Sequence, residues 1–474
     1  MVSKTFTMAY ENVINTKLYS WSAIVRYSLP LLIVLLIAGC NKIDWKNVDN
    51  ENGHGNGFGS ISSDMVLTWN NAAVHMVTAT PQDPPNPPIP PFYDSRFFAM
   101  VGISMHDALN SIIPKYQTYA LKNTRDKHAD PNVAVAQAAH DVIVAAYGTL
   151  NAPAFFTPQS VKDDIESLLA SSLSKTPNGD AKTRGIALGK AAAAAIIQLR
   201  STDGSNNVYF PVTEGTLPGE YRFTAPFNGP PFNGYYESPG WGKVKPFGLQ
   251  SSAQFMPPPP YAVNSGDYTK DYLEVKHLGC MSCSDRTSEQ SEIALFWKES
   301  SSIGWNRIAT IIGKQKKLDA FRFARLIALV NMSEADSYIA SAETKLFYFY
   351  WRPVTAIQLG DNDGNTHTPG DATWEVMAPP TPPVADYPSA HSSAGGAGAA
   401  AMAIFFGTDD LNFTTTSLSL PNVSRSFHHI SDAATENALS RIYIGYHFRK
   451  ACFAGRTMGV YIGSYIANGS LKQN

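Results

Sequence analysis

Pro388-Ser389-Ala390-His391 opens the run HSSAGGAGAAAMAIFF (residues 391–406), and the reading of this stretch decides the fold. A proline and a serine ahead of a Gly/Ala-rich helical run place Ser389 at a helix N-cap. Free backbone N–H groups and the positive end of the dipole then face outward, which makes a seat for an oxyanion. Upstream lies KLFYFYWRP (Lys345 to Pro353), and downstream lies SRIYIGYHF (Ser440 to Phe448). The three pieces hold a Lys, two Arg, a Ser and two His with few carboxylates among them, and they read as one anion site.

Lys345 and Arg352 are seven residues apart, two turns of a helix, so the spacing predicts that both leave one helix face toward the same object. Arginine adds a fork of donors that suits a tetrahedral or trigonal oxyanion. In the third piece His447 falls about 120° around an ideal helix from Arg441, so Arg441 is expected to use its length to converge. The two histidines differ in the chemistry asked of them. One presents a neutral nitrogen to a phosphorus- or metal-centred electrophile, and the other moves a proton opposite it. A crowd of cations lowers histidine pKa values and favours the neutral form.

The order K-x-x-x-x-x-x-R-P, P-S-x-H, S-R-x-x-x-x-x-H resembles the pattern shared by vanadium-dependent haloperoxidases and type 2 phosphatidic acid phosphatases, bacterial acid phosphatases among them. SDRTSEQSEIALFW (284–297), GNTHTPGDATWE and ENALSRIYIGYHFRKA resemble the soluble bacterial haloperoxidase branch more than membrane lipid phosphatases. The resemblance spans residues 63–470 and is weakest in the first half. It implies two stacked four-helix bundles and vanadate as cofactor, with phosphate able to occupy the same site. It implies that Lys345, Arg352 and Arg441 bind equatorial oxygens, helped by the Ser389 hydroxyl and the Ala390 N–H. His447 would be the axial vanadium ligand or the nucleophile that carries a phosphoryl group, and His391 the acid–base group at the opposite apex. Lys345 would also activate bound peroxide toward halide.

Three positions depart from the family pattern. Ala390 stands where glycine is usual between Ser and His. Past His447, where the family commonly continues to an Asp, this chain has Ala451. Val384 occupies the place, five before Ser389, that lies near the halide in haloperoxidases, so no halide preference carries over. Three cations around one anion call for a nearby acid, and Asp285 and Glu289 are the expected braces.

The first forty residues read as an export signal. Lys4, Lys17 and Arg26 precede LPLLIVLLIAGC, which is short for a membrane span, and IAGC resembles the lipidation site of bacterial lipoproteins. We therefore expect a signal peptide over 1–39, lipidation at Cys40, a polar tether over 40–62 and a single helical domain over 63–474. The protein would sit on the outer side of the cytoplasmic membrane or at the cell surface, held through its lipid alone. In that oxidising setting Cys280 and Cys283 are candidates for a small disulfide.

A net charge of −2 and 16% charged residues give no basic field for nucleic acid. Helical periodicity dominates from Ser63 onward and strand-like alternation is scarce, so the class is all-α. Long Pro/Gly-rich excursions interrupt it, chiefly over 201–268, whose aromatic content predicts packing over the core. His106-Asp107 reads as a pair that orders a bundle, GDNDGNT (360–366) as a turn and His428-His429 as a helix start. Apolar helical faces are buried within the chain or across a homodimer, and both arrangements stay open. Three functions remain: a peroxidase acting on peroxide, halide and an organic acceptor; a phosphatase acting on phosphate esters in the same pocket; and a surface lipoprotein with a degenerate site.

Overall fold

The computed structural model describes residues 61–79, 91–147 and 157–474. The expected signal peptide, Cys40 and all of the tether but its last two residues lie outside the described residues. Among those described, no helix is long and apolar enough to cross a membrane. Among the described residues the fold is all-α apart from one two-stranded ribbon.

Helices α1 (Asp64–Ala79), α2 (Pro91–Ile112), α3 (Pro131–Ala146), α4 (Gln159–Ser174) and α5 (Asp180–Arg200) form the first group. Local sequence explains their ends: the Asp130 carboxylate accepts the Val133 amide at 2.9 Å, and Pro131 occupies the first turn of α3. Helix α2 is buried over almost its whole length. The acid of the His106–Asp107 pair accepts the amides of Tyr119, Ala120 and Leu121 at 2.7, 2.6 and 2.9 Å, so it pins the chain that follows α2.

The second group contains α6 (Gly266–Leu278), α7 (Ser288–Phe296), α8 (Ser301–Gln315), α9 (Ala320–Tyr348), α10 (Pro353–Gln358), α11 (Ala390–Phe406), α12 (Ile430–Tyr443) and α13 (Arg449–Gly469). The 29-residue α9 starts at an Asp319 cap and is shared by both groups, packing on α2 on one side and on α11 and α13 on the other. Helices α11 and α13 meet backbone to backbone. A Cβ added at Gly455, Gly459 or Gly463 of α13 would run into the carbonyl oxygens of Ser389, Ser393 and Ala397 respectively.

Two elements were not anticipated. Helix α6 starts at a Ser265 cap and buries Tyr268, Tyr272 and Val275. Strands β1 (Asp410–Thr416) and β2 (Ser424–His429) pair antiparallel with Phe413 opposite Phe427, so His428-His429 closes a strand and, with His429 as the N-cap of α12, also stands at the helix start expected there.

The excursion between α5 and α6 is tied down by buried polar groups. Asp203 receives Arg96 at 2.8 Å, and Asp336 of α9 accepts the amides of Phe247, Gly248 and Leu249 at 2.6, 2.7 and 2.9 Å. Farther along, the hydroxyls of Tyr348, Tyr387 and Tyr350 donate to the carbonyls of Pro257, Pro258 and Tyr261. The GDNDGNT segment is a turn in which Asp363 accepts from Asn365 and Thr368. Cys280 and Cys283 are disulfide-bonded.

Glu334 lies fully buried in α9, and neither carboxyl oxygen has a hydrogen-bond partner, so burial raises its pKa well above 4.5. A carboxyl that holds its proton in the folded chain and loses it in the unfolded chain makes stability fall as pH rises above about 4.5. Glu334→Gln removes that dependence. Its stability relative to wild type should rise between pH 5 and pH 8, by up to about 1.4 kcal/mol per pH unit. Urea unfolding at the two pH values checks this, and a constant difference would contradict it.

Candidate functional site

Lys345 occupies the last turn of α9, which ends where Phe349 takes a left-handed conformation (φ 49°). Arg352 is therefore not on the same helix, contrary to the expectation from their spacing. It is the N-cap of α10, and the turn between brings both cations back to one place. Both spend donors on a single strap, residues 382–386. Lys345 Nζ donates to the carbonyls of Ala385 and Asp386 at 2.6 and 2.9 Å, and Arg352 donates to those of Val384 and Pro382 at 2.7 and 3.2 Å. A further Arg352 nitrogen reaches the Tyr446 carbonyl at 2.9 Å and His447 Nε2 at 3.0 Å.

Arg441 and His447 are likewise not on one helix. Helix α12 stops at Tyr443 and the chain reverses at Gly445 (φ 86°), where a Cβ would strike the Gly279 carbonyl, just before the disulfide. The angular offset inferred from an unbroken helix does not apply. Arg441 donates to the Trp297 carbonyl at 3.0 Å and lies over the Tyr446 ring, while its Nε has no partner.

Ser389 caps α11: its hydroxyl accepts from the amide and the hydroxyl of Ser392 at 3.3 and 2.9 Å, and its own amide donates to the Ala451 carbonyl at 3.0 Å. The amides of Ala390 and His391 precede the first intrahelical bonds. His391 Nδ1 lies 2.9 Å from the Ser301 hydroxyl, and its Nε2 is closed off from solvent with no partner.

The structure thus brings Lys345, Arg352, Ser389, Ala390, His391, Arg441 and His447 together. Burial, and then the neighbouring Arg352, Lys345, Arg441 and His391, hold the His447 pKa well below 6.5. Burial and Arg441 do the same to His391. Lys345 is lowered as well, first by burial and then by Arg352. Burial first and the neighbouring cations second thus disfavour the protonated forms of all three groups.

The braces expected from charge balance lie elsewhere. Glu289 pairs with Arg425 at 2.5 Å, beside Glu292 and Glu436, and Asp285 faces His277 at 3.2 Å. The acid at the site is Asp386, whose Oδ1 sits 2.7 Å from His447 Nδ1 and 3.9 Å from Arg352. Burial pushes its pKa up to about 7 against the pull of Arg352 and Lys345. Sequence reasoning missed it, although it is the one acidic residue between Glu375 and Asp409 and stands three positions before Ser389. Ser301 was also missed, since nothing local marks a serine in the first turn of α8 as a partner for His391.

Residues 59–231 match the family described as the vanadium chloroperoxidase N-terminal domain, and residues 325–472 match the VCPO second helical-bundle domain, more than half of the chain between them. The chain is 24% identical to the vanadium chloroperoxidase of Curvularia inaequalis, with 83% of this chain and 80% of that protein covered. Its fold is similar to that of a bacterial vanadium-dependent iodoperoxidase (TM-score 0.70, 22% identity, 88% of this chain and 98% of that one). It is also similar to a holo-type bacterial vanadium-dependent chloroperoxidase (TM-score 0.64, 16% identity, 87% and 98%).

Removing Asp386 leaves the buried Lys345 and Arg352 without a carboxylate beside them. Asp386→Ala should melt at a lower temperature than wild type in anion-poor buffer. It should also gain more from added phosphate, at saturations where a bound ligand contributes about 2–3 kcal/mol. Thermal unfolding with and without phosphate reads both effects, and equal gains in the two proteins would contradict the charge argument.

Proposed function

Since this chain belongs to the vanadium haloperoxidase family, we propose that it oxidises halide with hydrogen peroxide at a vanadate held in this cage. The observation that carries the reading is the surplus of buried positive charge: Lys345 and Arg352 share the interior with Asp386, Arg441 is buried beside them, and Arg441 Nε and His391 Nε2 have no side-chain partner. A compact oxyanion supplies the missing negative charge and an acceptor for Arg441 Nε, and the donor set fits vanadate.

In this reading Lys345, Arg352 and Arg441, with the Ser389 hydroxyl and the Ala390 amide, would hold its oxygens. His447 would be the ligand, through the Nε2 that faces Arg352. When bound, vanadate supplies a Lewis-acidic centre that makes peroxide electrophilic toward halide. Asp386 keeps the proton of neutral His447 on Nδ1, so Nε2 carries the lone pair, which Arg352 engages at 3.0 Å and which a bound vanadate would take over. His391, held neutral by burial and Arg441, would accept a proton from incoming peroxide and return it to a leaving oxygen. Ala451 does not leave His447 without a carboxylate, because Asp386 stands there instead, which supports a competent site over a degenerate one.

The same groups would also serve a phosphatase, with His447 attacking phosphorus and His391 protonating the alcohol. A paired assay separates the activities: halogenation of a phenol-type indicator with orthovanadate, peroxide and iodide, bromide or chloride, beside hydrolysis of a chromogenic phosphate ester. Halogenation without hydrolysis is the expected result. Hydrolysis alone would replace the reading, and neither activity would favour the degenerate site. His447→Ala should abolish vanadate binding, while His391→Ala should spare binding more than turnover. Equal loss of binding in both variants would overturn the assignment of roles.

A further inference from the structure

We propose that Ser301 is the positioning residue for His391: its hydroxyl accepts the Nδ1 proton, so that the bare Nε2 is the nitrogen presented to the anion. The inference rests on the preceding reading only in taking His391 as the acid–base group.

The geometry comes from the start of α8. Ser301 is buried in its first turn, with its hydroxyl 2.9 Å from His391 Nδ1. The flanking residues fix that turn: the hydroxyls of Ser300 and Ser302 bond each other at 2.9 Å, and Ser300 reaches Asp94 of α2 at 3.3 Å. The Ser301 proton has an acceptor of its own, the His391 carbonyl at 3.5 Å. With its proton directed there, the serine oxygen meets His391 as an acceptor, and the imidazole proton belongs on Nδ1.

The other nitrogen agrees. His391 Nε2 is shut off from solvent and bonded to nothing, and the nearby Trp297 carbonyl at the end of α7 is engaged by Arg441. An N–H buried there would have to share the Trp297 carbonyl with Arg441, whereas a lone pair there lies near the Arg441 cation of α12. The two imidazoles are therefore anchored through the same atom by different chemistry. His447 leans on the carboxylate of Asp386, which strengthens Nε2 as a ligand. His391 leans on a neutral hydroxyl, which orients the ring without adding basicity and leaves it able to give a proton back.

The test uses the full chain with 15N-labelled histidine and no vanadate. The wild-type spectrum should show His391 predominantly as the Nδ1–H tautomer. Ser301→Ala should mix the tautomers, leave orthovanadate affinity within about threefold of wild type, and lower halide turnover by about tenfold or more. Ser301→Thr, which keeps the hydroxyl, should restore the tautomer and most of the turnover. An Nε2–H tautomer in the wild type would overturn the proposal, and this needs no variant to fold. Ring signals unchanged in Ser301→Ala would also overturn it, as would a loss of vanadate affinity as large as the loss of turnover. A wild-type protein that has the Nδ1–H tautomer but oxidises no halide would remove the peroxidase reading and leave the Ser301 assignment standing.

Discussion

The close approach of α11 and α13 sets the position of everything at the site. Gly455, Gly459 and Gly463 recur every fourth residue on α13, and the carbonyls of Ser389, Ser393 and Ala397 recur at the same interval on α11. One helix lies in the other's backbone groove with no side chain between, at the density of a well-packed interior. At that spacing the Ser389 amide reaches the Ala451 carbonyl, and the N-terminus of α11 comes to rest beside the turn that ends in His447. The seat for an anion and the histidine that faces it are thus placed by a single helix contact.

Around that contact the chain buries three cations, which is costly without strong compensation. Much of it comes from main-chain carbonyls rather than carboxylates: those of Pro382, Val384, Ala385, Asp386, Tyr446 and Trp297 all accept from Lys345, Arg352 or Arg441. Carbonyl dipoles stabilise positive charge without cancelling it. Asp386 supplies one formal negative charge at most, and burial raises its pKa against the pull of Arg352 and Lys345. On the proposed reading, the field left over is what would draw an oxyanion in. A fully neutralised cluster of salt bridges would have been a structural element with no pull on a ligand.

The caps and the three motif pieces were legible in the sequence because each depends on residues within one or two turns: Ser389, Asp130 and Asp319 all cap where local chemistry places them. What failed was inference across a break. Phe349 and Gly445 both adopt positive φ, and each turns what looked like one helix into two differently directed segments, so helical angles misplaced Arg352 and His447. Helix α6 carried a readable pattern in Tyr268, Tyr272 and Val275 behind a serine cap, but its proline-rich approach concealed it. Asp386 lies 61 residues from His447, and nothing in a linear chain joins them. Charge balance demanded an acid, and the search for it among Asp285 and Glu289 looked beside the wrong motif.

The strap at 382–386 is gripped almost wholly by its peptide groups. Glu237 donates its amide to the Pro383 carbonyl on the outer side, and the cations take the carbonyls on the inner side. Only Asp386 contributes through its side chain, while Val384 packs into an aromatic patch with Tyr221 and Tyr236. Recognition of the main chain is indifferent to side-chain identity. Val384 and the residues beside it can therefore change side chain without disturbing the carbonyls that Lys345 and Arg352 hold, so the cage behind the strap keeps its dimensions while its lining varies.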